Sequence, residues 1–130
     1  MHSETNRLMI GRSALVTGAS GGIGLQTATA LASIGATVLI SGRNRNAGQD
    51  AKRHIQSVTG NSDVHLVLGD LSTRDYIHAV VKQTKELTPK LDILINNAGV
   101  VAPTCLLKSD GIEMNAATNI MAPYFLTREL

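Results

Sequence analysis

The chain has 130 residues, a formal net charge of +2, 43% hydrophobic and 17% charged residues, and one cysteine, Cys105. That length sets a single domain over residues 1–130 and that composition a globular one, while the three aromatics, Tyr76, Tyr124 and Phe125, imply an aliphatic core and leave little to stack on nucleic-acid bases. Thinly scattered Lys and Arg exclude a nucleic-acid or membrane-surface protein, no apolar run reaches the ~20 residues of a membrane span, and the lone thiol behind a polar N-terminus sets a cytoplasmic expectation.

Ser13–Thr17 predicts the first strand. Thr17-Gly18-Ala19-Ser20-Gly21-Gly22-Ile23-Gly24 follows it and leads into helix formers, predicting a helix over Gly22–Ile34. A glycine-rich turn between a strand and a helix collects bare backbone N–H groups at the positive end of a helix dipole, which is a phosphate site. Glycines there serve the tight turn, the approach of a pyrophosphate and close helix–strand packing. The spacing therefore predicts a dinucleotide, with Gly18, Ser20, Gly22, Ile23 and Gly24 lining its pyrophosphate and nearby ribose. A P-loop would need Lys-Ser or Lys-Thr after the last glycine; Leu25-Gln26 stands there and argues against a kinase or NTPase.

Thr37–Ser41 predicts the second strand and Asn44–Thr59 the second helix, with Ala47, Ala51, Ile55 and Val58 on one face. Between them lies Ser41-Gly42-Arg43-Asn44. An NAD site places an acidic residue about 20 residues past the glycines to bind the ribose hydroxyls. Here Gly42 holds that place and Arg43 follows, which favours a 2′-phosphate and so NADP(H) over NAD(H), with Asn44 assisting.

Val64–Leu68 predicts the third strand and Thr73–Leu87 the third helix. Asp70 and Leu71 between them are candidates to flank adenine; Asp70 also stands where it could help cap the helix, with Ser72 the expected N-cap. Leu91–Asn96 predicts the fourth strand and a last helix runs from about Gly111 to Glu129. Gly35, Gly60 and Pro89 mark the ends of the first three helices. Four Val/Ile/Leu-rich runs alternating with helices predict an α/β fold with a doubly wound parallel sheet. Asn96-Asn97-Ala98-Gly99 ends the fourth strand, on the side where such sheets bind ligands; Asn97, Ala98 and Gly99 are candidates for the ribose wall and the floor.

Thr17-Gly18-x-x-x-Gly22-x-Gly24 together with Asn96-Asn97-Ala98-Gly99 resembles the short-chain dehydrogenase/reductase family, from about Arg12 to Leu130. Gly21 also permits the glycine pattern of the extended, epimerase-like relatives, whereas Asn-Asn-Ala-Gly argues for the dehydrogenase branch. Asp110-Gly111-Ile112-Glu113 resembles, more weakly, retinol-dehydrogenase-like members. The resemblance implies a Rossmann-type sheet of which this chain holds the order 3-2-1-4, leaving the fourth strand at an edge. It also implies hydride exchange between NADP(H) and a small carbonyl or alcohol substrate, and homo-oligomer contacts through the last helix.

Asn119 matches the Asn of the family's Asn-Ser-Tyr-Lys active site, so the resemblance makes it the one catalytic candidate. Pro123 adds a physical reason: without an N–H it cannot bond the Asn119 carbonyl four residues back, and a bent helix with a freed carbonyl can hold a water. The family's Ser and Tyr-x-x-x-Lys are expected on a fifth strand and its helix, which these residues do not include. Tyr124 to Arg128 repeats the spacing without the Lys. The expectation is the N-terminal, cofactor-binding half of an oxidoreductase; a non-catalytic dinucleotide-binding module and an inactive fragment are the alternatives. His2, His54, His65 and His78 have no metal-ligand spacing, and Cys105 reads as a bystander thiol.

Overall fold

Strands that are apolar on both sides need cover on both faces of their sheet. The computed structural model, which describes residues 7–99 and 114–130, supplies it from helices on each side. Strand β1 (Ser13–Val16) leads to helix α1 (Gly22–Ser33), β2 (Thr37–Gly42) to α2 (Arg45–Thr59), and β3 (Val64–Leu68) to α3 (Arg74–Leu87). Strand β4 (Ile93–Ile95) completes a parallel sheet in the order β3-β2-β1-β4. The expected doubly wound α/β architecture is therefore present. β4 is shorter than the Leu91–Asn96 run: at its end the Asn97 N–H turns back to Ile95 O, while before its start the Asp92 N–H still reaches Ser13 O of β1.

Register explains the two cores. Leu15 of β1 sits beside Leu39 of β2 and Leu94 of β4, and this face packs against Ile77, Val80 and Val81 of α3 and against Phe125 and Leu126. The next residues along each strand, Val16, Val38 and Ile40, point the other way and meet Ala28 and Ala32 of α1 and Ala51 and Ile55 of α2. A period of two on a sheet covered on both faces thus yields two apolar layers from one continuous run. Small alanines on α1 let that helix lie close to the strands.

Helix ends follow local chemistry. Asn44 caps α2 by accepting the Ala47 N–H, and Gly60 ends that helix in the left-handed conformation. Thr73, not Ser72, caps α3, accepting the Tyr76 N–H. The expected cap is displaced because the Asp70 carboxylate accepts the Ser72 N–H and turns Ser72 inward, to 2% exposure. α3 stops at Leu87, and Thr88 takes an extended conformation as the residue before Pro89 must.

The last helix is not uniformly α. It comprises α4 (Met114–Ala116), one π turn (Ala117–Met121) and α5 (Ala122–Glu129), with the Ala122 N–H bonded to Ala117 O, five residues back. Pro123 lies at the first turn of α5, where a missing N–H is tolerated. The simple bend expected at Pro123 is thus replaced by a widened turn. The stretch from Gly111 to Glu113, the Asp110–Glu113 motif and Cys105 lie outside the described residues. No helix among the described residues is long and apolar enough to cross a membrane.

Candidate functional site

A cleft of about 250 Å³ opens at the C-terminal ends of the strands. Three sets of hydrogen bonds lace those ends together. The Thr17 hydroxyl oxygen accepts the N–H groups of Asn97 and Ala98, both at 3.0 Å, binding the end of β1 to the segment after β4. Asn97 returns the contact: its Nδ2 donates to Thr17 O and Gly18 O, each at 3.1 Å. On the other side the Ala19 N–H donates to Ser41 O and the Gly69 N–H to Gly42 O. The mouth of the sheet is therefore rigidly framed by groups that are themselves satisfied.

The glycine turn is shaped by close approach. Gly18 has φ +62°, and a Cβ there would stand 2.9 Å from the Ala98 Cα. A Cβ on Gly24 would stand 2.5 Å from both Asn97 Nδ2 and Gly18 O, so α1 can enter this close only because that position is bare. Gly22, at φ +58°, has nothing within 4 Å of the same position among the described residues, which leave the space in front of it open. Gly21 gives α1 no side-chain cap, and the first turn holds no acidic residue. The first N–H groups of α1 thus face that open space with the helix dipole behind them. Ile23 stands beside them with 79% of its surface exposed, an apolar side chain with no cover among the described residues.

Of the residues read from the sequence, Gly18, Ser20, Arg43, Asp70, Leu71, Asn97, Ala98 and Gly99 converge on the cleft. Gly22, Ile23 and Gly24 are not part of its lining, and Gly24 is buried beneath the turn. Asn44 is also outside it; its Oδ1 is occupied as the α2 cap. Asn119 lies one step beyond, its Oδ1 3.4 Å from where a Cβ on Gly99 would stand. The Asn97 amide is turned back onto the glycine turn, so it positions that turn while Ala98 and Gly99 form the wall. The sequence reading did not single out Ser41, Gly42, Gly69, Ser72 and Thr118 as lining residues, although they line the cleft too. For Ser41, Gly42 and Gly69 the signal was position, since strand-end residues meet when strands are parallel and in register; Ser72, before α3, and Thr118, on the π turn, had no such signal.

Ser72 brings an unusual feature: its Oγ is buried without a hydrogen-bond partner among the described residues. The carboxylates with shifted pKa values lie at the opposite end of the sheet. The Ser13 N–H holds the Asp92 carboxyl below the usual range, helped by Lys90 and Arg12. The Thr37 hydroxyl, and then His65, do the same for Asp63 against the opposing effect of burial. These groups pin the entry to β1 and β2 and take no part in the cleft. Among the described residues no three His, Cys, Asp or Glu side chains gather where they could hold a metal.

The profile of the short chain dehydrogenase family matches residues 12–130. Mouse retinol dehydrogenase 11 is 40% identical over 126 residues, covering 97% of this chain and 40% of that protein. The chloroplastic short-chain dehydrogenase TIC 32 A of Brassica napus is 38% identical over 117 residues, or 90% of this chain and 37% of its own length. Among solved structures, a metagenomic short-chain oxidoreductase in complex with NADP superposes with a TM-score of 0.80 at 34% identity, over 94% of this chain and 56% of that one. L-sorbose reductase from Gluconobacter frateurii, complexed with NADPH and L-sorbose, gives 0.82 at 29% identity, over 94% and 47%. The chain spans about two fifths of the length of these curated relatives.

Proposed function

The chain belongs to the short-chain dehydrogenase family, and from that premise we propose that it binds NADP(H) in the cleft above β1–β4 as the cofactor-binding part of an oxidoreductase. The parent reaction moves a hydride between the nicotinamide ring and a carbonyl or alcohol carbon of a small molecule. One observation carries the reading. The uncapped first turn of α1 faces open space at Gly22, beside a cleft whose rim holds Arg43 and, at the Gly42 position, no acid. Solved relatives in complex with NADP or NADPH support the same cofactor class.

When bound, the cofactor supplies the hydride or accepts it. The chain's own residues do the rest. The N–H groups at Gly22 and Ile23 receive the pyrophosphate, and Ile23 covers it with an apolar side chain. Gly18 and Ser20 line the approach. Arg43 receives the 2′-phosphate with two parallel donors, and Asn44 keeps its amide N–H groups free to assist. Asp70 accepts from the adenine amino group while Leu71 packs on the ring. Asn97 fixes the turn; Ala98 and Gly99 make a floor without side chains to obstruct a flat ligand. Asn119, on the π turn with its Oδ1 near Gly99, would hold a water near the reacting end. Exposed Ile120 and Tyr124 on the same helix offer an apolar face to a second copy. The single cysteine suits a reducing compartment such as the cytoplasm.

The test is direct titration of the chain with NADP(H) and NAD(H), read by calorimetry and thermal unfolding. NADP(H) at 100 times its Kd should add about 2.7 kcal/mol of stability. Gly22→Val should remove that effect by filling the space before the helix. Unaltered affinity in this variant rejects the phosphate turn, and equal affinity for NAD(H) rejects the preference.

A further inference from the structure

The cleft does not end at Arg43. It continues into a broad surface groove walled by Arg43, Asn44, Arg45, Gly69, Asp70 and Tyr76. Arg45 is the first residue of α2. A cation there faces the positive end of its own helix, which disfavours it. No acidic residue in the first turn relieves this, and neither Arg43 nor Arg45 has a carboxylate within ion-pair distance among the described residues. Asp70, the carboxylate in the groove wall, is turned back with its Oδ1 on the Ser72 N–H. Two exposed guanidinium groups thus share one groove, one from the end of β2 and one from the start of α2, and neither is ion-paired with Asp70 or any other carboxylate of the described residues.

We propose that Arg45 is a second specificity-determining residue for the 2′-phosphate, closing on it from the α2 side while Arg43 holds it from the β2 side. The inference rests on the NADP(H) reading above. A phosphate monoester carries between one and a half and two negative charges at neutral pH, about ‑1.5 to ‑2, which matches two guanidinium groups better than one. A 2′-hydroxyl gives neither Arg a charged partner. The same anion also relieves the repulsion between Arg45 and the helix, so ligand and helix both gain from its arrival. Selectivity between the two nicotinamide cofactors then depends on two residues, and Arg45 lowers the stability of the empty protein in return for it.

The experiment uses the full 130-residue chain with Arg45→Ala and Arg45→Lys, and with Arg43→Asp as the comparison. Kd is measured for NADP+, NAD+, 2′,5′-ADP and 5′-AMP, together with the Tm of the unliganded protein. Arg45→Ala should raise Kd for NADP+ and 2′,5′-ADP about tenfold, the scale of one charge-assisted hydrogen bond, and leave NAD+ and 5′-AMP unchanged. Its unliganded Tm should stay level or rise, because a repelled charge has left the helix. Arg45→Lys should recover part of the NADP+ affinity. An unchanged Kd for 2′,5′-ADP overturns the proposal, and so does an equal loss for NAD+ accompanied by a lower Tm, which would mark Arg45 as merely structural. Lost selectivity in Arg43→Asp with none lost in Arg45→Ala overturns the role of Arg45 alone. Absence of binding by the unaltered chain overturns the NADP(H) reading as well.

Discussion

Thr17→Val removes one oxygen and keeps the shape of the side chain. Thr17 is 1% exposed, and its Oγ1 is the acceptor for two backbone N–H groups, those of Asn97 and Ala98, each at 3.0 Å. Valine fills the same volume but removes that acceptor: the Asn97 N–H keeps its second bond, to Ile95 O, while the Ala98 N–H loses the one acceptor it has among the described residues. A buried donor left unsatisfied costs about 1–3 kcal/mol. One part-buried donor left so, with the Asn97 N–H reduced to a single bond, sets the expected loss at about 1–3 kcal/mol. That is a large share of the roughly 5–15 kcal/mol that holds a domain folded. At this chain length each kcal/mol moves Tm by about 4 °C, so the drop should be ~4–12 °C. Thr17→Ser is the control: it keeps the oxygen and loses one methyl, at about 1 kcal/mol. Urea unfolding of the three proteins gives the comparison, and their NADP(H) affinities show whether the turn has shifted with its anchor. If valine costs no more than serine, the account of a cleft framed by satisfied backbone groups is wrong.

Gly24→Ala should destabilise by about 1–3 kcal/mol despite alanine's better helix propensity, because the new Cβ would stand 2.5 Å from Gly18 O; chemical denaturation reads it, and a gain in stability would contradict the packing. Arg43→Asp should shift preference toward NAD(H), since a carboxylate repels a 2′-phosphate and accepts from a 2′-hydroxyl; an unchanged NADP+:NAD+ ratio of Kd values discards Arg43 as the selector. Asp92 and Asp63 both have folded pKa values below their unfolded ones. Their contribution to stability is therefore fully present above the unfolded carboxylate range, about pH 4, and is lost as pH falls through the lower folded values. Asp92→Asn should flatten the acid limb of a stability-versus-pH curve, and an unchanged slope would remove Asp92 from the account.

Much of this was legible because both faces of the sheet are covered. A strand buried on two sides has to be apolar throughout, so β1, β2 and β3 announced themselves as Val/Ile/Leu runs, within a residue of their observed ends. Gly60 and Asn44 are chemically committed to a helix end and a helix start, and both occur there. Gly18 and Asn97 were legible as neighbours at the cleft because strand ends in parallel register must meet at one edge. What was not legible depends on competition between equal candidates. Ser72 and Thr73 are both good caps; the contact of Asp70 with the Ser72 N–H decides between them, and nothing local predicts it. Pro123 signals that an α turn is interrupted, yet a bend and a π turn both answer that need. Thr17 looks like any strand-end threonine until β4 lies beside it. Asn97 lines the cleft as its strand-end position predicts, but the tie of its amide to the two carbonyls of the turn is visible only once β1 and β4 lie side by side.

The claim on which the rest depends is that main-chain N–H groups at the start of α1 receive the phosphates of a dinucleotide. Titration of the isotope-labelled chain with NADP+, followed by amide NMR shifts, tests it most directly. The account predicts saturable shifts concentrated at Ser20, Gly22 and Ile23, with a second group at Arg43 that NAD+ does not produce. Saturation with shifts confined to other parts of the chain, or no response from the Gly22 and Ile23 amides, would contradict it.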